Sequence, residues 1–229
     1  MTRLIVHVEG ETEETFVNEI LAPHLYQNGY TKVSARLLGN ARNRLRRGGI
    51  KSWQTVKSDI IRHLQGDPAC KATVMVDYYA LPATGDRAWP GRDAPANLST
   101  QDKGVRVEDA IRREICAEFH PNPNECRFIP FVLMHEFEAL LFSDCSKFAS
   151  AVGKPGIEPQ LRAIRNGFGT PEDINDSPQT APSKRVQDLI AGYQKPLFGF
   201  LAAADIGLDT IRTECPNFAK WLDRLESAV

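Results

Sequence analysis

The chain has no apolar run near the roughly 20 residues that a membrane-spanning helix needs. Met1 to Gly10 contain neither a signal-peptide core nor a small-residue cleavage site. Cysteine is sparse. The 5 present (Cys70, Cys116, Cys126, Cys145 and Cys215) are scattered, odd in number and form no C-x-x-C pair. That pattern argues against a disulfide framework or a structural zinc site, and for reduced thiols in a cytoplasm. No Walker A sequence occurs, so a nucleotide-driven motor would have to be another polypeptide, and H-E-F-E at 135–138 is not the H-E-x-x-H zinc motif. Neither charge sign prevails: 28 basic against 29 acidic side chains leave a formal charge of -1. With 16 Gly and 15 Pro, and no internal repeat or low-complexity stretch, the sequence is neither disordered nor fibrous. What remains is an ordinary soluble composition, 42% hydrophobic and 25% charged over 229 residues. A chain of this length buries roughly 70% of the surface its unfolded form exposes, enough for a core without staples.

Strand and helix patterns alternate. Leu4–Val8 is a β-branched run that stops at Glu9-Gly10, and a helix follows from about Thr12, with Phe16, Ile20 and Leu21 at helical spacing. Thr12 is an acceptable N-cap, no capping box follows it, and Pro23 is placed to end or kink the helix. Val33–Leu38 reads as a second strand, Trp53–Leu64 as a helix, and Ala72–Asp77 as a central strand buried on both faces. A Pro-, Gly- and Asp-rich stretch from Tyr79 to Lys103 precedes a helix over Val105–Phe119. Arg127–Met134 is a fourth strand, which Pro130 assigns to an edge or irregular position. Beyond Glu136 the pattern is of short helices: Glu138–Phe142, Cys145–Ala151, Glu158–Arg165, Ser183–Tyr193 and Ala219–Glu226. The expected fold is α/β, a mostly parallel Rossmann-like sheet of about four strands flanked by helices. Residues 1–143 would form that core and 144–229 a helical C-terminal extension packed on it.

In open α/β sheets, sites form at the carboxyl ends of the strands. Here Val8 leads into Glu9, Val76 into Asp77, and the strand ending near Met134 into Glu136 and Glu138. Carboxylates converging from separate strand ends suit Mg²⁺, which takes oxygen ligands and serves phosphoryl displacement. One such acid is more often a cap or a solvated group; three strand ends together favour a metal site. Gly10 permits a sharp turn beside Glu9 and Glu13, whereas Glu11 and Glu14 are explained by the helix dipole alone.

These residues resemble a known family. Val8-Glu9-Gly10-x-x-Glu13 after an apolar strand is similar to the opening motif of Toprim domains, in the version found in overcoming-lysogenization-defect nucleases. Across nearly the whole chain the resemblance is closer to the bacterial domain-of-unknown-function 4276 family. It is carried by VEGETEETF at 8–16, MVDYYALP at 75–82, WPG at 89–91, MHEFEALLFSD at 134–144, PEDIN at 171–175 and TAPSKR at 180–185. The resemblance implies a compact Toprim-like sheet with an acidic Mg²⁺ site (Mn²⁺ as substitute) and chemistry on nucleic acid. It assigns Glu9 as the Toprim glutamate, a metal ligand or acid-base group, Glu13 as the second acid of that helix, and Asp77 as the first aspartate of a D-x-D pair. Tyr79 stands where the second aspartate would be, and a neutral phenol is a poor Mg²⁺ ligand. Glu136 and Glu138 look like the later acids of the nuclease branch, and Lys184 like its charge-stabilising lysine. The same branch implies a separate ATPase partner and a role in defence against phage.

Residues between Ile20 and Ser58 include no acid but carry Arg42, Arg44, Arg46, Arg47 and Lys51 among their basic side chains. Such a segment suits a phosphate backbone with steep salt dependence, and suits equally a solvated loop or an acidic protein partner. Trp53, at its spacing with Val56 and Ile60, suits a helix core better than a base stack. Tyr79 suits a loop packed on Trp89 or Pro90, since the resemblance does not support a covalent nucleophile there. His135 suits a strand end with its ring hydrogen-bonded, the alternative being a metal ligand or acid-base group. Two functions from different classes follow: a Mg²⁺-dependent, Toprim-like nuclease or related phosphodiester-processing enzyme, and a non-catalytic Toprim-like scaffold that docks on an ATPase or nucleic acid. A small-molecule phosphotransferase ranks last for want of a Gly-rich phosphate loop.

Overall fold

The computed structural model describes residues 1–39, 49–95, 97–119, 126–174 and 180–229. Strand β1 (Thr2–Val8) pairs in parallel with β2 (Tyr30–Leu37) on one side and β3 (Cys70–Asp77) on the other. Strand β4 (Phe131–Leu133) pairs in parallel with β3, giving the order β2-β1-β3-β4. The fold is therefore α/β with a four-stranded parallel sheet. As the Pro at 130 requires, β4 is an edge strand, reached after an isolated bridge between Ala72 and Phe128. Among the described residues no helix is long and apolar enough to cross a membrane.

Alternation along the strands sends side chains to two cores. Leu4, Val6, Val8 and Met75 face the larger one, which is built with α1 (Glu11–Phe16), α2 (Ala22–Gln27) and the C-terminal helices. Ala72, Val74 and Val76 face the other, covered by α3 (Trp53–Gly66) and α4 (Thr100–Cys116). Trp53 is core, as its spacing with Val56 and Ile60 predicts, and packs on Trp89 with ring centroids 5.1 Å apart.

Three local expectations are corrected. The first helix is capped by Gly10 rather than Thr12: the Gly10 N–H donates to the Glu13 carboxylate at 3.0 Å, half of a capping box reached from an acid three residues in. Nor does Pro23 end this helix. The chain stays helical from α1 into α2 through a π-helical stretch, Val17–Leu21, an interruption of the regular ladder just before Pro23, which has no N–H to donate to it. The five thiols are not all reduced. The fold brings Cys116, at the end of α4, within 5.3 Å (Cα–Cα) of Cys126, and the two form a disulfide, while Cys70, Cys145 and Cys215 are free and buried.

After β4 the chain runs through α5 (Cys145–Ala151), α6 (Glu158–Arg165), α7 (Pro182–Leu189), α8 (Lys195–Ile206), α9 (Leu208–Glu214) and α10 (Pro216–Glu226). Helices α8 and α9 have no counterpart in the sequence pattern, because α8 is apolar on most sides and shows no clear polar face. The tail is built into the sheet. Trp221 of α10 stacks on Phe131 at 4.6 Å and donates its indole N–H to Thr73 Oγ1 of central strand β3 at 3.0 Å.

Candidate metal centre

The acids singled out in the sequence gather at one end of the sheet. Glu9 leaves the end of β1, and its carbonyl oxygen accepts the Gly49 N–H at 2.8 Å, which ties down the turn. Asp77 closes the neighbouring strand β3. Glu9 Oε2 and Asp77 Oδ1 are both shielded from solvent and accept no hydrogen bond among the described residues. Buried carboxylate oxygens are ordinarily paired, so two orphans at adjacent strand ends need a physical reason.

The electrostatics tie all five acids together. Burial, then the Glu13 carboxylate, pushes the Glu9 carboxyl up to about 7, against the pull of Lys195 and an Asp77 backbone contact. Asp77 is held well above the usual carboxylate range by burial and by repulsion from Glu13, Glu9, Glu138 and Glu136. Glu13 and Glu138 are raised too, each chiefly by burial. Glu136 and Glu138 come from the turn after β4: Glu138 is only 2% exposed, in a 3-10 stretch spanning Phe137–Ser143. Glu136 Oε2 accepts the Ser183 N–H at 2.9 Å. Ser183, expected to open a helix, thus orients an acid with its backbone, and α7 starts one residue earlier, at Pro182.

The cation among these acids is Lys195. Its ammonium lies 3.1 Å from Glu138 Oε1. Burial alone would lower the Lys195 pKa, but Glu138, Glu136 and Asp77 hold it above the usual lysine range. Helix α8 brings this lysine in because Gly199, one turn on, lets it lie against α1: a Cβ there would stand 2.9 Å from Thr12 Cγ2. Tyr193, just before α8, buries its hydroxyl without a hydrogen-bond partner, and burial with the Glu138 charge raises its pKa. Sequence reasoning missed Lys195 and Tyr193; the one local signal was a Lys-Pro pair opening an apolar run. Lys184 is not part of this group. It is exposed and its ammonium lies 3.4 Å from Gln187 Oε1 on its own helix.

Of the proposed nucleic-acid contacts, Arg42, Arg44, Arg46 and Arg47 lie outside the described residues. The Lys51 backbone oxygen accepts the Trp89 indole N–H at 2.9 Å. Tyr79 packs on neither Trp89 nor Pro90 as its main ring contact. It stacks on His135, centroids 4.7 Å apart and 19° from parallel.

Donors that are all oxygen are those a hard cation such as Mg²⁺ takes, and the two orphaned oxygens fit that chemistry. Among the described residues, though, no three His, Cys, Asp or Glu side chains are already grouped to hold a metal ion. Ion pairing of Glu138 with Lys195 and hydrogen bonding of Glu136 to Ser183 account for two acids being engaged elsewhere.

No curated protein matches the chain. Among solved structures it is similar to the C-terminal region of the Xanthomonas campestris pv. campestris OLD protein, at 14% identity and a TM-score of 0.44, covering 100% of this chain and 96% of that one. The family described as Domain of unknown function (DUF4276) matches residues 8–226, and the chain belongs to it.

Proposed function

We propose that this protein is a Mg²⁺-dependent phosphodiester-processing enzyme of Toprim type, a nuclease in the first instance. The observation that carries the reading is the pair of buried oxygens, Glu9 Oε2 and Asp77 Oδ1, that have no hydrogen-bond partner among the described residues and stand at the ends of two adjacent parallel strands. An uncompensated buried charge is costly, and such atoms persist where a ligand supplies the missing partner. In this reading Glu9 and Asp77 hold the metal, with Glu13, Glu136 and Glu138 as further ligands or as acids that bond to its waters. Bound there, the ion would neutralise phosphoryl charge and make water a better nucleophile. Lys195 takes the charge-stabilising role that the resemblance implied for Lys184, and Ser183 fixes Glu136. The arginines at 42, 44, 46 and 47, with Lys51, would grip the nucleic-acid backbone. A separate ATPase partner and service in phage defence belong to the same proposal by resemblance alone.

The test uses Glu9→Gln and Asp77→Asn. Wild-type protein should show a Mg²⁺- or Mn²⁺-dependent rise in melting temperature and metal-dependent cleavage of DNA or RNA. Each variant should lose both while remaining folded. Cleavage retained by both variants would reject the proposal.

A non-catalytic scaffold is the second reading, favoured by one observation: Lys195 already supplies a cation to the cluster. Under it, metal titration would move the melting temperature no more than it does for any protein with scattered surface acids.

A further inference from the structure

The position where the Toprim pattern has its second aspartate carries a ring, and that ring has a defined place. Strands β3 and β4 run parallel with Asp77 opposite Leu133. Two residues beyond each partner stand Tyr79 and His135, and their rings stack as the strands end. Tyr78, between Asp77 and Tyr79, is buried, meets Tyr79 edge-on at 5.8 Å and carries the Arg92 guanidinium 3.9 Å over its own ring. Tyr79 thus has a rigid backing while 43% of it stays exposed. Asp77 lies two residues before this ring and Glu136 directly follows its His135 backing, so the two strand ends that carry the shelf also carry acids of the cluster.

We propose that Tyr79, backed by His135, is a stacking subsite for an unpaired nucleobase next to the scissile phosphate. The substrate class is single-stranded nucleic acid or a frayed end. The inference deepens the phosphodiester reading and rests on it. A base in a duplex is stacked on both sides and offers no face to a single ring, whereas an unpaired base can lie on an aromatic platform whatever its identity. A loose surface tyrosine would lose rotamer freedom on binding; one already held between Tyr78 and His135 loses less.

The experiment is fluorescence anisotropy in EDTA on the Glu9→Gln/Asp77→Asn protein, where cleavage and metal play no part. Two probes of equal length and charge are compared: labelled oligothymidylate and its abasic counterpart. The expected result is tighter binding of oligothymidylate. Adding Tyr79→Ala should cut that preference by about tenfold and leave abasic affinity unchanged, while Tyr79→Phe should keep it. Thermal melting checks that each variant is folded. The proposal is overturned if Tyr79→Ala keeps the preference, if both probes weaken together, or if neither binds. A preference that depends on Tyr79 in a protein without metal-dependent cleavage would sink the enzymatic reading and leave the shelf. Metal-dependent cleavage with no such preference would do the reverse.

Discussion

Glu9 and Glu172 are both largely buried acids whose carboxyls are pushed up to about 7, yet they are opposite kinds of group. Glu172 is 3% exposed and fully engaged. Its Oε2 accepts the Asn217 N–H at 2.8 Å and its Oε1 the Phe218 N–H at 3.0 Å, so it caps the first turn of α10. Glu108 follows the same pattern, accepting from the Val132 N–H at 3.0 Å and from Arg224 at 3.0 Å along the open side of edge strand β4. Glu9 has an orphaned oxygen, and its next-largest perturbation after burial is a neighbouring acid. The difference teaches that a raised carboxyl does not by itself mark a working site. What separates the two is the partner inventory: both Glu172 oxygens accept backbone N–H groups, whereas Glu9 keeps an oxygen without a donor among the described residues and faces the Glu13 carboxylate.

Substitutions can break or sharpen this contrast. The largest effect is expected on activity. Asp77→Asn or Glu9→Gln should lower metal-dependent turnover by at least about 100-fold, the scale of losing a key charge-stabilising group, whereas Glu172→Gln should leave turnover per folded molecule unchanged. Next comes stability, with the order reversed. Glu172→Ala leaves two buried N–H groups without an acceptor and should cost about 2–4 kcal/mol in urea unfolding. Without metal, Asp77→Asn should stabilise by about 1 kcal/mol, because it removes repulsion from four neighbouring acids that the single Lys195 charge offsets only in part. Metal-free protein in which Asp77→Asn proves less stable would show that this carboxylate has a partner after all.

A smaller effect is expected in pH profiles. Glu9 is raised in the folded state, so its stabilising share is complete below the unfolded pKa of about 4.5 and is lost as pH rises through about 7. Glu172 has the same sign and window. Saturating Mg²⁺ should flatten the Glu9 part of that slope and leave the Glu172 part, a difference that chemical denaturation at several pH values, with each Gln variant, would resolve. His7 runs the other way. Its ring, bonded to His63 at 3.0 Å and to the Thr73 carbonyl at 3.2 Å, is pushed down to about 3 by burial and then by His63. That stability is complete above about 6.5 and lost as pH falls toward 3. His7→Gln should therefore flatten the acid side of the profile alone.

Much of the site was legible because its signals are local. A β-branched run that halts at Glu9-Gly10 and an apolar strand that halts at Asp77 locate two strand ends, and parallel pairing makes them neighbours. The edge position of β4 followed from Pro130. What stayed hidden depends on partners that no sequence motif marks, some distant and some only a few residues away. Lys195 sits on a helix without a polar face, and nothing near it in sequence says that Glu138 is its partner. Gly10 caps α1 through the side chain of Glu13, a role its own chemistry does not advertise. Cys116 and Cys126 match no short spacing motif, and only the approach of α4 to the start of β4 joins them. Lys184 drew attention because of a motif whose structural contribution is the backbone of Ser183.

The indole of Trp221 on central strand β3 also bears on biogenesis. During synthesis, all four strands emerge before Ser183, Lys195 and Trp221. A nascent chain tethered at its ribosome would therefore expose the sheet face that α10 covers, and would display its carboxylates before the lysine and the aligning amide arrive. Such a late-closing architecture leaves the acid cluster without its lysine and its aligning amide until α7 and α8 have been made.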